Sequence, residues 1–202
     1  MDLSLLQRLN DFFAGHDGVE DPLVVYANAS ELLFLGMLVL AFVLIAGRRR
    51  QDVRRAVVAA GLSAGLGLLV AQVVARLVDR PRPFVAHPHA VHLFAHHAAD
   101  AGFPSDHTTA AFAIGTALVL RFRGWGVAVL LLATILAVTR VAMGVHYPTD
   151  VLGGALIGVA SALVLHHPAV RALLHRLADG AGALLDGLAR STLGRLTPTP
   201  RG

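Results

Sequence analysis

Five long runs of mostly apolar residues dominate the chain, separated by short polar links. They cover residues 23–46, 55–78, 106–121, 125–142 and 150–166. A helix needs about 20 mostly apolar residues to cross the hydrocarbon core of a bilayer, and each run approaches that length. The pattern therefore predicts an all-α, polytopic membrane bundle of about five spans, a single domain over residues 1–202 with its core at 23–167.

Both ends of the chain show an amphipathic pattern. Near the N-terminus, apolar side chains recur on one helical face, formed by Leu5, Leu6, Leu9, Phe12 and Phe13. This recurrence predicts a short helix at the membrane interface. Leucines also keep helical spacing within residues 168–202, which predicts a cytoplasmic amphipathic helix, interrupted around Gly180 and Gly182 and followed by a disordered tail at 197–202.

The composition supports a membrane location. Hydrophobic residues make up 55% of the chain and charged residues 15%, with a mean hydropathy of +0.65. Soluble domains are about half apolar at most. The absence of Cys excludes disulfides and thiol chemistry. The net charge of +4 does not indicate nucleic-acid binding, because the basic residues are not gathered in a basic domain.

The placement of the arginines predicts the orientation of the spans. All 17 basic residues are Arg. Those at 48–55, at Arg121 and Arg123, and at Arg171 and Arg176 fall in links that a five-span topology places on one side. The positive-inside rule makes that side cytoplasmic. The N-terminus and the links after the second and fourth spans then face the outside of a bacterial cytoplasmic membrane.

Three polar segments fall on the outer side, with the sequences RLVDRPRPF, PSDH and TRVAMGVHYPTD. Their candidate functional residues are Arg76, Arg80, Arg82, Ser105, Asp106, His107, Arg140, His146 and Asp150. Because a helix rises about 1.5 Å per residue, the hairpin between His107 and Arg140 returns the chain to the face that it left. We therefore expect the three segments to meet at the outer surface.

Together, these residue types indicate phosphoryl transfer. Singly, a Ser or Asp at a helix start is most simply a cap, and an Arg-Pro turn is most simply exposed. As a group, several Arg side chains, a Ser hydroxyl and helix N-termini make an anion site. Two His residues can supply a nucleophile and a general acid, with Asp150 fixing the tautomer of one imidazole. Such a reaction passes through a phosphohistidine and requires no metal ion or other cofactor.

The same segments resemble the motifs of the type-2 phosphatidic acid phosphatase superfamily, which includes lipid phosphate phosphatases, bacterial acid phosphatases and vanadium haloperoxidases. The family pattern is K-x6-R-P, then P-S-G-H, then S-R-x5-H-x3-D. Its counterparts in this chain are Arg82 with Pro83, PSDH at 104–107, and Arg140 followed by His146 and Asp150. The residues around these motifs are most similar to the bacterial undecaprenyl pyrophosphatases of the bacitracin-resistance type.

This resemblance implies roles for the motif residues. His146 would be the nucleophile, Asp150 would orient it, and His107 would protonate the leaving oxygen and later assist water. The residues that would hold the phosphoryl oxygens are Arg82, Arg140 and Ser105. The implied substrate is undecaprenyl pyrophosphate, with phosphatidic acid and phosphatidylglycerophosphate as alternatives. The implied partners are the lipid substrate and membrane lipids, not nucleic acid.

The chain departs from the family pattern at three positions. Ala75 occupies the place of the first-motif Lys, so we expect Arg76 or Arg80 to complete the phosphate site. Asp106 replaces Gly; we expect its side chain to point outward or to pair with an Arg, leaving its backbone N–H for the phosphate. Thr139 replaces Ser and keeps the hydroxyl group.

Two rival functions use other features. A small anion transporter or channel would use the Arg cluster as a vestibule, but it would need ionisable residues deep within several spans. A metal-binding protein would use the His-rich segment at 87–100, which we interpret instead as a loop covering the active site, with Val91, Leu93 and Phe94 touching lipid or substrate. Glu31 near the outer end of the first span would either neutralise an active-site Arg or reach interfacial water.

Overall fold

The computed structural model describes residues 2–45 and 50–196, and helices account for most of them. The helices are α1 (Asp2–Ala14), α2 (Asp17–Leu44), α3 (Arg50–Val78), α4 (Pro83–Ala86), α5 (Asp106–Val119), α6 (Arg123–Ala142), α7 (Pro148–His166) and α8 (Pro168–Leu196). Within the described residues, extended pairing is limited to an isolated bridge between Pro81 and Ala101. The prediction of an all-α protein is confirmed.

Four of the described helices are long and apolar enough to cross a membrane: α2, α3, α6 and α7. Many of their leucine side chains face outward and are highly exposed; Leu32 is 77% exposed and Leu156 is 72% exposed. Apolar side chains in such positions are stable when lipid covers them. The chain is therefore a multi-pass membrane protein.

The segment predicted as the third span, 106–121, forms a helix that is shorter than the four helices named above. Helix α5 has 14 residues, or about 21 Å. Asp106 at its start contacts Gln72 of α3, and Arg121 just past its end pairs with Asp52 near the beginning of α3. The segment thus still runs between the two ends of the bundle. Because neighbouring helices surround much of α5, its length need not match the thickness of the lipid.

Glycines allow α5 and α7 to pack closely. A Cβ atom on Gly154 would lie 2.6 Å from the carbonyl oxygen of Ser105, and one on Gly158 would lie 2.4 Å from that of Thr109. Small residues at such crossings let helix backbones approach in membrane bundles. This packing places the start of α5 directly against the start of α7.

The predicted N-terminal helix is present, and its apolar face lies only partly against the protein. Leu6 and Phe13 are buried in the protein, whereas Leu5 and Phe12 are largely exposed. The buried Asn10 donates hydrogen bonds to the carbonyls of Ala142 and His92. Helix α1 is therefore held against the end of α6 and the loop that follows α4.

The C-terminal helix α8 is continuous, so the predicted interruption at Gly180 and Gly182 is wrong. Arg54 of α3 approaches so closely that a Cβ on Gly182 would lie 2.8 Å from its Nη1. Arg54 also pairs with Asp186, and Arg55 pairs with Asp179. These contacts outweigh the low helix propensity of glycine. The exposed leucines of α8 are Leu173, Leu177, Leu184 and Leu188. Arg48, Arg49 and the tail 197–202 lie outside the described residues.

Candidate active site

The motif residues from all three segments come together at one end of the bundle, which we call the motif end. Arg82 lies in the loop after α3, Ser105 and His107 lie at the start of α5, and Arg140 lies in the last turn of α6. His146 and Asp150 flank the beginning of α7, where the backbone N–H of Ser105 donates to the carbonyl of Asp150 over 3.1 Å. The turn between α6 and α7 contains Gly144, whose φ of 78° favours glycine.

The imidazole of His146 is fixed by two hydrogen bonds. Its side chain is 2% exposed. Its Nδ1 lies 2.9 Å from the carbonyl oxygen of Gly102, and its Nε2 lies 3.1 Å from Nη1 of Arg82. A guanidinium only donates, so Nε2 must carry the lone pair and Nδ1 must carry the proton. This is the tautomer in which Nε2 is free to attack an electrophile.

Asp150 supports this imidazole from a distance. Its Oδ2 lies 3.8 Å from Nδ1 of His146, which is too long for a hydrogen bond. That oxygen instead accepts the backbone N–H of Tyr147 over 2.7 Å, and Oδ1 accepts from Arg80 over 2.9 Å. The expected direct bond from Asp150 to His146 is therefore replaced by the Gly102 carbonyl. Asp150 contributes its charge and caps α7.

Arg82 is buried and is held by three contacts, one from Nε and two from Nη1. Besides His146, it contacts the carbonyl of Val145 over 3.1 Å and Oδ1 of Asp100 over 2.7 Å. Burial raises the pKa of Asp100, but the hydrogen bond from Arg82 outweighs it and holds that pKa below its ordinary value. A phosphate at Nε2 of His146 would lie next to this guanidinium. Sequence reasoning missed Asp100, whose one signal is its position just before the second motif.

Arg140 differs from Arg82 because it forms no ion pair with a carboxylate of the described residues. It is 2% exposed. Its Nη2 contacts Nε2 of His97 over 2.7 Å, and its Nε has no hydrogen-bond partner among the described residues. Within residues 2–45 and 50–196, no carboxylate oxygen lies within 4.0 Å of it. A buried guanidinium in this state gains stability when an anion binds beside it.

His97 completes the contacts of Arg140 and was not singled out by sequence reasoning. Burial and the positive charge of Arg82 lower the pKa of His97. The neutral ring can then accept the hydrogen bond from Arg140. The ring also lies edge-on to that of His146, with centroids 6.4 Å apart. The His-rich loop thus contributes a side chain to the site.

Arg76 and Arg80, the two candidates for the missing Lys, lie in different surroundings. Arg76 is exposed on α3, and no hydrogen bond or ion pair with the described residues joins it to the site. The expectation that Arg76 binds phosphate is not supported, because a shift of one residue turns a helical side chain by about 100°. Arg80 donates to Asp150, to Asp2 and to the hydroxyl of Thr149, so three of its five N–H donors are directed to these groups.

Asp2 is a further residue that sequence reasoning missed. It accepts hydrogen bonds from Arg80 and from the hydroxyl and backbone N–H of Thr149. Burial raises the pKa of Asp2, but these hydrogen bonds outweigh it and lower the pKa below its ordinary value. Helix α1 therefore stabilises the carboxylate–guanidinium group behind His146.

The start of α5 presents polar groups of two kinds. The Ser105 hydroxyl is buried and accepts a hydrogen bond from Thr108 over 3.1 Å, which leaves its own O–H free to donate. The Asp106 side chain accepts from Gln72 over 3.3 Å and forms no ion pair with an Arg of the described residues, so of the two expected arrangements, pointing outward or pairing with an Arg, the second is not present. Nε2 of His107 lies 3.2 Å from Oε1 of Glu31. Thr139 directs its hydroxyl to the carbonyl of Ile135 within its own helix.

The loop at 87–100 covers the motif end, but its apolar residues pack on protein. Val91 is buried in a cluster with Leu6 and Tyr147, and Phe94 meets Phe13 edge-on at 5.9 Å. The expected contact of this loop with lipid or substrate therefore fails for Val91 and Phe94. Among the described residues, no three His, Asp or Glu side chains are grouped so as to hold a metal ion.

An apolar groove leads away from His107 between α2, α3 and α5. Its volume is about 460 Å³. Its walls include Phe34, Leu38, Leu68, Ile114 and Leu136. Glu31, Asp106 and His107 are the ionisable residues that line it. The groove therefore joins a polar site to a passage that suits a hydrocarbon chain.

The charge state of His146 yields a prediction for NMR. Burial and the positive charges of Arg140 and Arg82 lower the pKa of His146 well below its ordinary value. At pH 5.5 an ordinary imidazole is about nine-tenths protonated. Because a lowered pKa moves protonation to lower pH, we expect ring ¹⁵N shifts at pH 5.5 to show neutral His146 with its proton on Nδ1. The signal that disappears in His146→Gln provides the assignment, and an imidazolium pattern at pH 5.5 would contradict the prediction.

Comparison with known proteins identifies the family. Residues 56–172, more than half of the chain, match the PAP2 superfamily. The chain is 35% identical to undecaprenyl-diphosphatase BcrC of Bacillus subtilis (strain 168) over 144 residues, 71% of this chain and 72% of that protein. It is 38% identical to the putative undecaprenyl-diphosphatase YbjG of Escherichia coli (strain K12) over 111 residues, 54% and 55% of the two chains.

The fold agrees with this assignment. The crystal structure of Aquifex aeolicus LpxE matches with a TM-score of 0.66 and 25% identity, covering 81% of this chain and 93% of that one. The matched family segment contains every motif residue at the site, from Arg82 to Asp150. The chain therefore belongs to the PAP2 superfamily and is a membrane-spanning phosphatase.

Proposed function

We propose that the protein hydrolyses undecaprenyl pyrophosphate to undecaprenyl phosphate and inorganic phosphate through a phosphohistidine on His146. The observation that carries this proposal is a buried, unprotonated Nε2 of His146 that accepts a hydrogen bond from Arg82, with the buried guanidinium of Arg140 acting on the same ring electrostatically. The names of the relatives support undecaprenyl pyrophosphate as the substrate. The apolar groove beside His107 supports a lipid as the bearer of the phosphate.

The first half-reaction transfers the terminal phosphoryl group to the enzyme. Nε2 of His146 attacks phosphorus, and a P–N bond forms as the bond from phosphorus to the bridging oxygen breaks. His107 gives its proton to that oxygen, and undecaprenyl phosphate leaves. Arg82 and Arg140 balance the charge on the equatorial oxygens, with the Ser105 hydroxyl as a further donor.

The second half-reaction returns the enzyme to its starting state. His107, now neutral, accepts a proton from water as that water attacks the phosphohistidine. The P–N bond breaks, inorganic phosphate leaves, and His146 regains the lone pair on Nε2. The Gly102 carbonyl and the charge of Asp150 stabilise the Nδ1–H form throughout, because this ring becomes positively charged when phosphorylated.

We further propose that the motif end faces the outside of the cytoplasmic membrane. Arg54, Arg55 and Arg121 lie at the opposite end of the bundle, and the positive-inside rule places that end in the cytoplasm. The chain has no native Cys, so single-cysteine variants allow a direct test. In intact cells, His89→Cys should react with a membrane-impermeant thiol reagent and Arg123→Cys should not. The reverse pattern would contradict this orientation.

The substrate proposal is tested with purified protein in detergent and excess EDTA. We expect phosphate release from undecaprenyl pyrophosphate, with a kcat/KM at least about tenfold above those for phosphatidic acid and phosphatidylglycerophosphate. Activity in EDTA is expected because the proposed steps use only side chains. A higher kcat/KM for either glycerolipid would replace the proposed substrate, and loss of activity in EDTA would contradict the metal-independent mechanism.

A further inference from the structure

Glu31 is an ionisable residue within an otherwise apolar stretch of α2. The helix continues from Glu31 to Leu44 without another charged residue. Ionisable side chains in such segments are rare and usually have a partner with a function. The partner here is His107, whose Nε2 lies 3.2 Å from Oε1 of Glu31. Both side chains line the apolar groove.

His107 is otherwise surrounded by positive and potentially positive groups. Burial of the ring disfavours a positive charge on His107, and Arg140, His146, His97 and Arg82 disfavour it further. The neighbouring carboxylate, Asp106, bonds to Gln72 of α3 instead. A general acid must carry a proton before the leaving group departs, and two guanidinium groups oppose that charge. The nearby carboxylate of Glu31 favours the protonated form of His107.

We propose that Glu31 is a positioning residue that holds His107 in its protonated form, a role that rests on the phosphatase mechanism proposed above. The imidazolium has two N–H groups, and Glu31 accepts the one on Nε2. The other remains for the leaving oxygen, which takes the proton as its bond to phosphorus breaks. Glu31 would thus act on the general acid His107 as Gly102 and Asp150 act on the nucleophile His146.

The role of Glu31 predicts a dependence on the leaving group. An alkoxide is a poor leaving group and needs a proton from His107, whereas p-nitrophenolate leaves without one. Both kinds of ester transfer the same phosphoryl group to His146. Replacing a residue that acts through the general acid should therefore slow hydrolysis of an alkyl phosphate and leave hydrolysis of an aryl phosphate almost unchanged. A residue that only supports the fold would affect both esters alike.

The test compares Glu31→Gln with the wild type on phosphatidic acid and on p-nitrophenyl phosphate. Gln preserves the size of the side chain and removes its charge. We expect kcat for phosphatidic acid to fall about 10- to 100-fold and kcat for p-nitrophenyl phosphate to change less than about threefold. Glu31→Asp, which restores the carboxylate, should recover part of the loss. Glu20→Gln, on the exposed start of the same helix, is the matched control and should change neither rate.

The outcomes separate this proposal from the proposed function. Equal losses on the two esters, or no loss on phosphatidic acid, would overturn the role of Glu31. If undecaprenyl pyrophosphate proves a poor substrate while Glu31→Gln still discriminates between the esters, the substrate proposal fails and the Glu31 proposal stands. If Glu31→Asp, which restores the carboxylate, recovers none of the loss on phosphatidic acid, the role of Glu31 also fails.

Discussion

Replacing His146 with Gln should abolish phosphate release, lowering kcat by about 10⁴-fold or more. Losses of this size follow removal of the nucleophile from enzymes that form covalent intermediates. Gln is the sharpest replacement because its amide can donate to the Gly102 carbonyl and accept from Arg82, the two contacts that His146 makes. The variant therefore keeps the hydrogen bonds of the native side chain and loses only the nitrogen that attacks phosphorus.

Two measurements on this variant identify the lost step. Rapid quenching with substrate labelled in the terminal phosphate should trap an acid-labile phosphoenzyme in the wild type and none in His146→Gln. Thermal unfolding should show that the variant is folded. His89→Gln, on the exposed part of the same end, is the control and should keep its activity within about twofold. Labelled enzyme in His146→Gln, or equal release by both proteins, would assign the nucleophile to another residue.

The position of His146 could be predicted because its motif is tied to helix geometry. The spacing from Arg140 to Asp150 covers the end of one apolar helix and the start of the next, and hydropathy locates both. The hydrogen bond on Nδ1 could not be predicted in the same way. It comes from the backbone carbonyl of Gly102, and a carbonyl is present at every residue. Asp150, with the expected residue type at the expected spacing, instead holds Arg80 and the N–H of Tyr147.

Residues contributed by loops were the hardest to predict. His97 and Asp100 lie in a segment without helical periodicity, so no spacing relates them to Arg140 or Arg82. Their placement follows from the packing of Val91 and Phe94 on the protein, a tertiary effect. Arg80 was weighed as a phosphate ligand because of its charge. Its actual partners include Asp2, nearly 80 residues earlier in the chain, and no local pattern indicates that contact.

The fold could be predicted where lipid dictates the pattern. The four helices that qualify as spans stood out by length and apolar content. Helix α5 has the same apolar character, but it is shorter, because contact with protein rather than lipid sets its length. Helix α8 continues through Gly180 and Gly182, since Arg54 and Arg55 fix it against α3. The low helix propensity of glycine is a small effect, and these ion pairs outweigh it.

Replacing Arg140 with Met should lower activity and raise stability together. The guanidinium is buried, its Nε has no hydrogen-bond partner among the described residues, and none of their carboxylates forms an ion pair with it. Without substrate this arrangement costs free energy, and an apolar side chain of similar length removes the cost. With substrate the same charge binds phosphoryl oxygens, so we expect kcat/KM to fall by about 10²- to 10³-fold. Sites built for catalysis often show this opposition of stability and function.

The decisive measurement is thermal unfolding with and without inorganic phosphate. Phosphate should raise the Tm of the wild type, because a ligand that binds only the folded state stabilises it, and it should raise that of Arg140→Met much less. Arg54→Met is the matched control: Arg54 is equally buried but paired with Asp186 at the other end of the bundle. That variant should lose stability and keep its response to phosphate. If Arg140→Met were the less stable protein and still responded fully to phosphate, Arg140 would be a structural residue and the anion site would have to be centred elsewhere.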